Sequence, residues 1–460
     1  MRQVCSSVRG PDAGRYPTGV SEFSWPDLPA TQQPVWPDEA ALQRAVAELQ
    51  VLPPLVFAGE CDTLTEQLGK AVVGEAFVLT GGDCAETFAA NTADSIRARL
   101  KTVLQMSVIL TYAASVPVVK VGRVAGQYFK PRSKATETRD GVELPSYLGD
   151  AVNALAFDEV ARRPDPQRLV KAYHASGAAL NLIRAFTQGG YADLNQVHAW
   201  NTDFVRDSPA GQRYERIATD IDRALRFVRA SGAEPDEFQR VDFYAAHEAL
   251  SLVYERALTR IDSRTGAPYD VSGHFLWVGE RTRGINGAHI DFAATVRNPV
   301  GVKVGPTAAP DEILEVVERL NPQRVPGRVS LITRMGAQQV NDALPSIIQK
   351  IDASGHPVVW VCDPMHGNTY EAQSGHKTRS FDDVIGEVRG FFAVHRRLGT
   401  IPGGIHVELT GDDVTECVGG TAGVSADNLA HRYETACDPR LNREQSLELA
   451  FLVADMLLER

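Results

Sequence analysis

The chain has 460 residues, 43% hydrophobic and 23% charged, with 47 Lys and Arg against 58 Asp and Glu for a formal net charge of −11. That length supports a large apolar core, and the acidic balance argues against a nucleic-acid binder or a protein held on an anionic membrane surface. Six cysteines without a C-x-x-C pair, no apolar signal segment and no apolar run of about 18 residues predict a cytoplasmic protein with neither a disulfide scaffold nor a membrane span.

In chain order, residues 1–70 read as a Pro-rich polar tail followed by a helical extension, with helical period beginning at VWPDEAALQRAVAELQ. Residues 71–460 read as one catalytic unit. There, short β-branched runs end in a reactive or charged residue, and amphipathic helices usually follow. The runs are EAFVLTGGDC (75–84), VPVVKVGR (116–123), GHFLWVGER (273–281), PVGVKVGP (299–306), RVSLITR (328–334), HPVVWVCDPMH (356–366), GGIHVELTG (403–411) and YETACDP (433–439). Such alternation predicts parallel β/α units, and eight of them at about 30 residues each predict a closed (β/α)8 TIM barrel, an α/β fold. The long gap between the second and third runs predicts a large helical insertion after the second strand, at approximately 135–272. Within it Ile217, Ile221, Leu225 and Val228 recur at helical spacing. Extra helices of this kind either pack on the barrel or form a subunit or effector surface.

Catalytic groups of such barrels gather at the C-terminal ends of the strands. Two sets converge there on this reading. Cys84, His366, Glu408 and Asp438 combine a thiol, an imidazole and two carboxylates, a mixed soft and hard donor set for a divalent transition metal. Taken singly, each has a duller role: a buried thiol, a loop histidine, rim ion pairs. Arg123, Arg281, Lys303 and Arg334, with Lys130, Arg132 and Ser133 of GRVAGQYFKPRS, form a cationic set suited to phosphate and carboxylate ligands. The alternative is that these cations pair with Glu280, Glu408 or Asp438. Trp277 and His406 read as core or cavity lining. Cys437 is either inert or close enough to Cys84 for redox pairing. Neither a Walker A nor a G-x-S-x-G pattern is present.

The motifs GGDCAETF, KVGRVAGQYFKPRS, WVGERT, GAHIDF, NPVGVKVGP, LITRMG, CDPMHGNT, PGGIHVELTG and RYETACDPRLN together resemble the type II 3-deoxy-D-arabino-heptulosonate 7-phosphate (DAHP) synthases from about residue 35 onward. The resemblance implies a condensation of phosphoenolpyruvate with erythrose 4-phosphate, the first step of the shikimate pathway. It implies metal ligation by Cys84, His366, Glu408 and Asp438, with Mn or Co as the first expectation and Zn or Fe as alternatives. It places phosphoenolpyruvate on Arg123, Glu280, Arg281, Lys303 and Arg334, and erythrose 4-phosphate on Lys130, Pro131, Arg132 and Ser133. Lys303, Glu280 and Arg123 are the expected catalytic residues. A homo-oligomer, inhibition by aromatic amino acids and a chorismate mutase partner are further family traits. Gly284, Ile285 and Asn286 depart from the commoner family pattern, which leaves open a housekeeping enzyme or a secondary-metabolic relative making DAHP or amino-DAHP.

Overall fold

The computed structural model describes residues 27–189, 192, 208–230, 241–421 and 423–459. The tail at 1–26 lies outside them. Eight strands close into a parallel barrel in chain order: β1 Phe77–Gly82, β2 Val118–Arg123, β3 Tyr244–Glu248, β4 Phe275–Val278, β5 Val300–Val304, β6 Val329–Thr333, β7 Val359–Cys362 and β8 Gly404–Glu408. β1 pairs with both β8 and β2, which seals the ring. Nearly every strand residue is buried, because helices cover the outer face and side chains fill the inner one. This accounts for the unbroken apolar runs in the sequence.

Helix Ala58–Val72 plugs the N-terminal mouth. Its Leu64, Leu68 and Ala71 cluster with Val78, Val119, Val361 and Trp277 from the barrel interior. The opposite mouth therefore carries the polar groups. Helix boundaries follow local chemistry: Asn442 accepts from the Gln445 N–H at 2.9 Å while the Gln445 side chain accepts from the Asn442 N–H at 3.2 Å, a capping box that starts the closing helix Arg443–Leu458.

Two elements differ from the sequence reading. YETACDP is not a strand; it lies in the long loop between β8 and the closing helix. The barrel's third strand is instead Tyr244–Glu248, inside the stretch 135–272 read as insertion, so the excursion after β2 ends before residue 244. Ala and Glu in YAAHEAL favour helix locally, and closure of the ring overrides that preference. Among its described residues, the excursion holds helices Gln167–Gln188 and Pro209–Ala230 and also a two-stranded hairpin, Thr136–Arg139 with Val142–Pro145, which the helical reading did not include. Helix Gln167–Gln188 packs with Glu39–Val51 in a second apolar cluster through Leu169, Leu180, Leu42 and Leu49. Helix Pro209–Ala230 lays Ile217 and Ile221 on the main core and buries Leu225, whereas the side chain of Val228 lies outside the described residues. Among the described residues, no helix is long and apolar enough to cross a membrane.

Candidate active site

Barrel register sets the floor of the site. Gly82 at the end of β1 is level with Arg123 of β2 and Glu408 of β8. At φ 147° Gly82 has a conformation that L side chains rarely adopt, and a Cβ there would lie 2.6 Å from the Arg123 carbonyl oxygen. Glycine thus lets the chain turn off the strand so that Cys84, two residues on, sits beside its neighbours.

Arg123 is locked in place. It donates to the carbonyls of Asp83 at 2.8 Å and Cys84 at 3.1 Å, pairs with Glu408 Oε1 at 3.0 Å and meets His406 Nε2 at 2.6 Å. Its guanidinium lies 5.0 Å from the Trp277 ring centre. Burial, then Lys303 and Arg123, push His406 well below its ordinary pKa, so it stands as a neutral acceptor for Arg123.

His366 lies in the loop after β7. Asp363 accepts from its backbone N–H at 3.3 Å through one oxygen and binds Nδ1 at 2.7 Å through the other. The imidazole therefore turns Nε2 toward Glu408 Oε1, 3.1 Å away. The Lys303 ammonium also contacts Asp363.

Asp438 is brought in by its loop. Arg440 donates to Glu416 from Nη2 at 2.7 Å and from Nε at 3.0 Å, and from Nη1 to Asp83 at 2.7 Å, which fastens this loop to the segment bearing Cys84. The Asp438 N–H then donates to Cys84 Sγ at 3.3 Å, and Cys84 Sγ lies 3.6 Å from Asp438 Oδ2. Donor atoms of Cys84, Glu408 and Asp438 lie within 4.8 Å of one another, with His366 adjoining through Glu408.

These residues fit a divalent cation. Glu408 Oε2 is buried and accepts no hydrogen bond, although Arg379 pairs with it at 2.8 Å. Burial would raise Glu408 and Asp438, yet both are held well below the usual carboxylate range, the first by His366, Arg379 and Arg123 and the second by Lys130. Two anionic carboxylates, a thiol and an imidazole are what a borderline-soft cation takes. Positive charge is already supplied among these donors by Lys130, 2.9 Å from Cys84 Sγ and 2.7 Å from Asp438 Oδ2. Burial, then a hydrogen bond with Cys437 and the charge of Glu408, push the Cys84 thiol up, against Lys130. Cys437 is its immediate neighbour.

Above the donors opens a cleft of about 350 Å³. Lys130, Pro131, Arg132 and Ser133 line it together with Arg123, Glu280, Arg281, Lys303 and Arg334, and Trp277, His366 and Asp438 share the same wall. All the residues singled out in the sequence as substrate-binding thus meet in one space. Arg334 is set by its N–H to Val304 O at 2.8 Å and by Nη2 to the His366 carbonyl at 2.8 Å. Glu280 accepts from Arg283 at 2.9 Å and from the Gly305 N–H at 2.6 Å. Burial lowers Lys303 to a pKa of about 8, with Asp363 opposing and Arg123 adding to the shift. Glu248, Gln127 and Lys377 also line the cleft, and the sequence reading missed them. The first belongs to the unrecognised strand; the other two carry no spacing that marks them.

Residues 20–454 match the class-II DAHP synthetase family. Over 433 residues the chain is 64% identical to the phospho-2-dehydro-3-deoxyheptonate aldolase of Streptomyces coelicolor, covering 94% of this chain and 96% of that one. Over 435 residues it is 55% identical to phospho-2-dehydro-3-deoxyheptonate aldolase AroG of Mycolicibacterium smegmatis, covering 93% of each. A solved phospho-2-dehydro-3-deoxyheptonate aldolase structure from Francisella tularensis SCHU S4 aligns at TM-score 0.46 and 12% identity over 94% of this chain and 99% of that one, a likeness too distant to bear on function.

Proposed function

We propose, because the chain belongs to the class-II DAHP synthetase family, that it condenses phosphoenolpyruvate with erythrose 4-phosphate to give DAHP and inorganic phosphate, the first step of the shikimate pathway. One observation carries the assignment of the site: six Arg and Lys side chains expected to hold phosphate and carboxylate share a cleft with His366 and Asp438, which adjoin Glu408 and Cys84. In this reading Cys84, His366, Glu408 and Asp438 would hold a divalent ion, Mn or Co first, which would supply Lewis acidity to the aldehyde oxygen of the sugar phosphate.

The chain's own residues do the rest. Arg123, Arg281, Lys303 and Arg334 hold the phosphate and carboxylate of phosphoenolpyruvate, so that its C3 faces the aldehyde carbon; much of the acceleration is positioning. Lys130, Pro131, Arg132 and Ser133 seat the phosphate of the tetrose. As C3 bonds to the aldehyde carbon, Lys303 Nζ delivers a proton to the developing alkoxide. Glu280 polarises the water that adds to the electron-poor C2, and the C2–O bond to phosphate then breaks to release inorganic phosphate. Finer family traits belong to the same reading: cytoplasmic location, a homo-oligomer, and association with a chorismate mutase.

The test is spectrophotometric. Phosphoenolpyruvate absorbance falls on adding erythrose 4-phosphate, with one phosphate released per molecule consumed; chelator stops the loss and Mn or Co restores it. Unchanged absorbance with both substrates and metal present refutes the proposal.

A further inference from the structure

The cations around the cleft only donate hydrogen bonds. They satisfy phosphates and a carboxylate, but a tetrose phosphate also carries two hydroxyl groups, each with a hydrogen that needs an acceptor when water is excluded. Two of the lining carboxylates are engaged. Glu280 takes Arg283 and the Gly305 N–H, and Asp438 takes Lys130 at 2.7 Å and Lys377 at 3.2 Å.

Glu248 differs. It is 8% exposed and lines the same cleft, its Oε1 is buried without a partner, and no described residue hydrogen-bonds or ion-pairs with its carboxylate. Its placement is built rather than incidental. It ends β3, its N–H donates to Gln127 Oε1 at 2.9 Å, and a Cβ on Gly279 would overlap Oε1, so the glycine leaves room for the carboxylate. Phosphoenolpyruvate offers no hydroxyl group, so of the two substrates only the tetrose phosphate brings such a donor to this carboxylate. A buried unsatisfied acceptor in a substrate cleft calls for a donor.

We infer that Glu248 accepts a hydrogen bond from a hydroxyl group of the tetrose phosphate and thereby selects a hydroxylated aldehyde. This rests on the proposed function. A site built around a substrate hydroxyl discriminates strongly against the analogue lacking it, because its own polar group is then left unpaired.

The experiment compares the full chain, loaded with Mn, with its E248A and E248Q variants on erythrose 4-phosphate and on the 2-deoxy and 3-deoxy analogues. The unaltered protein is expected to lose about tenfold or more in kcat/KM on one of the deoxy analogues. E248A loses a similar factor on erythrose 4-phosphate but is within about twofold of the unaltered protein on that analogue, a coupling that general damage to the fold does not produce. KM for phosphoenolpyruvate stays within about twofold, and E248Q keeps most of the discrimination because its amide oxygen still accepts. If E248A does not fold, the same comparison is made with E248Q and with Gly279→Ala, which displaces the carboxylate without changing charge; discrimination then survives in the first and is lost in the second. Equal losses by E248A on all three aldehydes, or no discrimination by the unaltered protein, overturn the inference while leaving the synthase assignment standing. No consumption of phosphoenolpyruvate with erythrose 4-phosphate by the unaltered protein overturns the assignment itself.

Discussion

Lys303, the proposed proton donor, shows how burial changes the acidity of an ordinary side chain. The residue is 5% exposed, and its ammonium lies 5.8 Å from the Trp277 ring centre and contacts Asp363. An ammonium in bulk water is too weak an acid to give up its proton readily; here burial brings the pKa from 10.5 to about 8. The sign follows directly. The proposed proton donor is protonated below about pH 8 and loses its proton as pH rises through that value, so kcat, followed against pH, is expected to fall on the alkaline side near pH 8. Lys303→Met removes the proton and one phosphate-binding charge but no ligand donor. Turnover is expected to fall about a hundredfold or more with metal affinity changed less than threefold, measured by steady-state rates beside metal titration. Equal losses in both would contradict the assignment of Lys303 as proton donor.

At the scale of elements, the loop between β8 and the closing helix decides whether Asp438, the fourth proposed donor, reaches Cys84. Asp438 was legible as a candidate donor, but its supposed strand was not one: Tyr433, Thr435 and Cys437 resemble strand residues by type, whereas Arg440 and Glu416 hold the segment as a loop. Conversely, β3 was illegible because Tyr244–Glu248 is short and runs into helix-favouring residues, and only the two neighbouring strands make it a strand. Glu248 was missed with it. Arg440 is the element's fastening, because its guanidinium bridges Glu416 and Asp83. Arg440→Met leaves both carboxylates without that partner and frees the loop. Apparent metal affinity, read by titration of the apo-enzyme, is expected to weaken about tenfold, with kcat at saturating metal within about threefold of the unaltered protein. Unchanged affinity would mean that the loop is held by other contacts.

For the molecule as a whole, an acidic chain sets seven Lys and Arg side chains around one cleft. The barrel was legible from the rhythm of apolar runs, seven of which are its strands, since both faces of those strands are buried; the count of eight was completed by β3, not by YETACDP. The site was legible because parallel strands bring distant C-terminal ends together: Cys84, Arg123 and Glu408 meet only through the register of β1, β2 and β8. What the sequence did not carry was the second layer, Asp363 behind His366 and Arg379 against Glu408, whose roles depend on contacts that no spacing announces. The account stands on the donors sharing one ion. An anomalous-difference map at the Mn absorption edge, from crystals grown with Mn, tests that most directly. It is expected to show one peak within about 2.5 Å of Cys84 Sγ, His366 Nε2 and a carboxylate oxygen of Glu408 and of Asp438. A peak bonded to other residues, or none from protein that turns over with Mn, would contradict it.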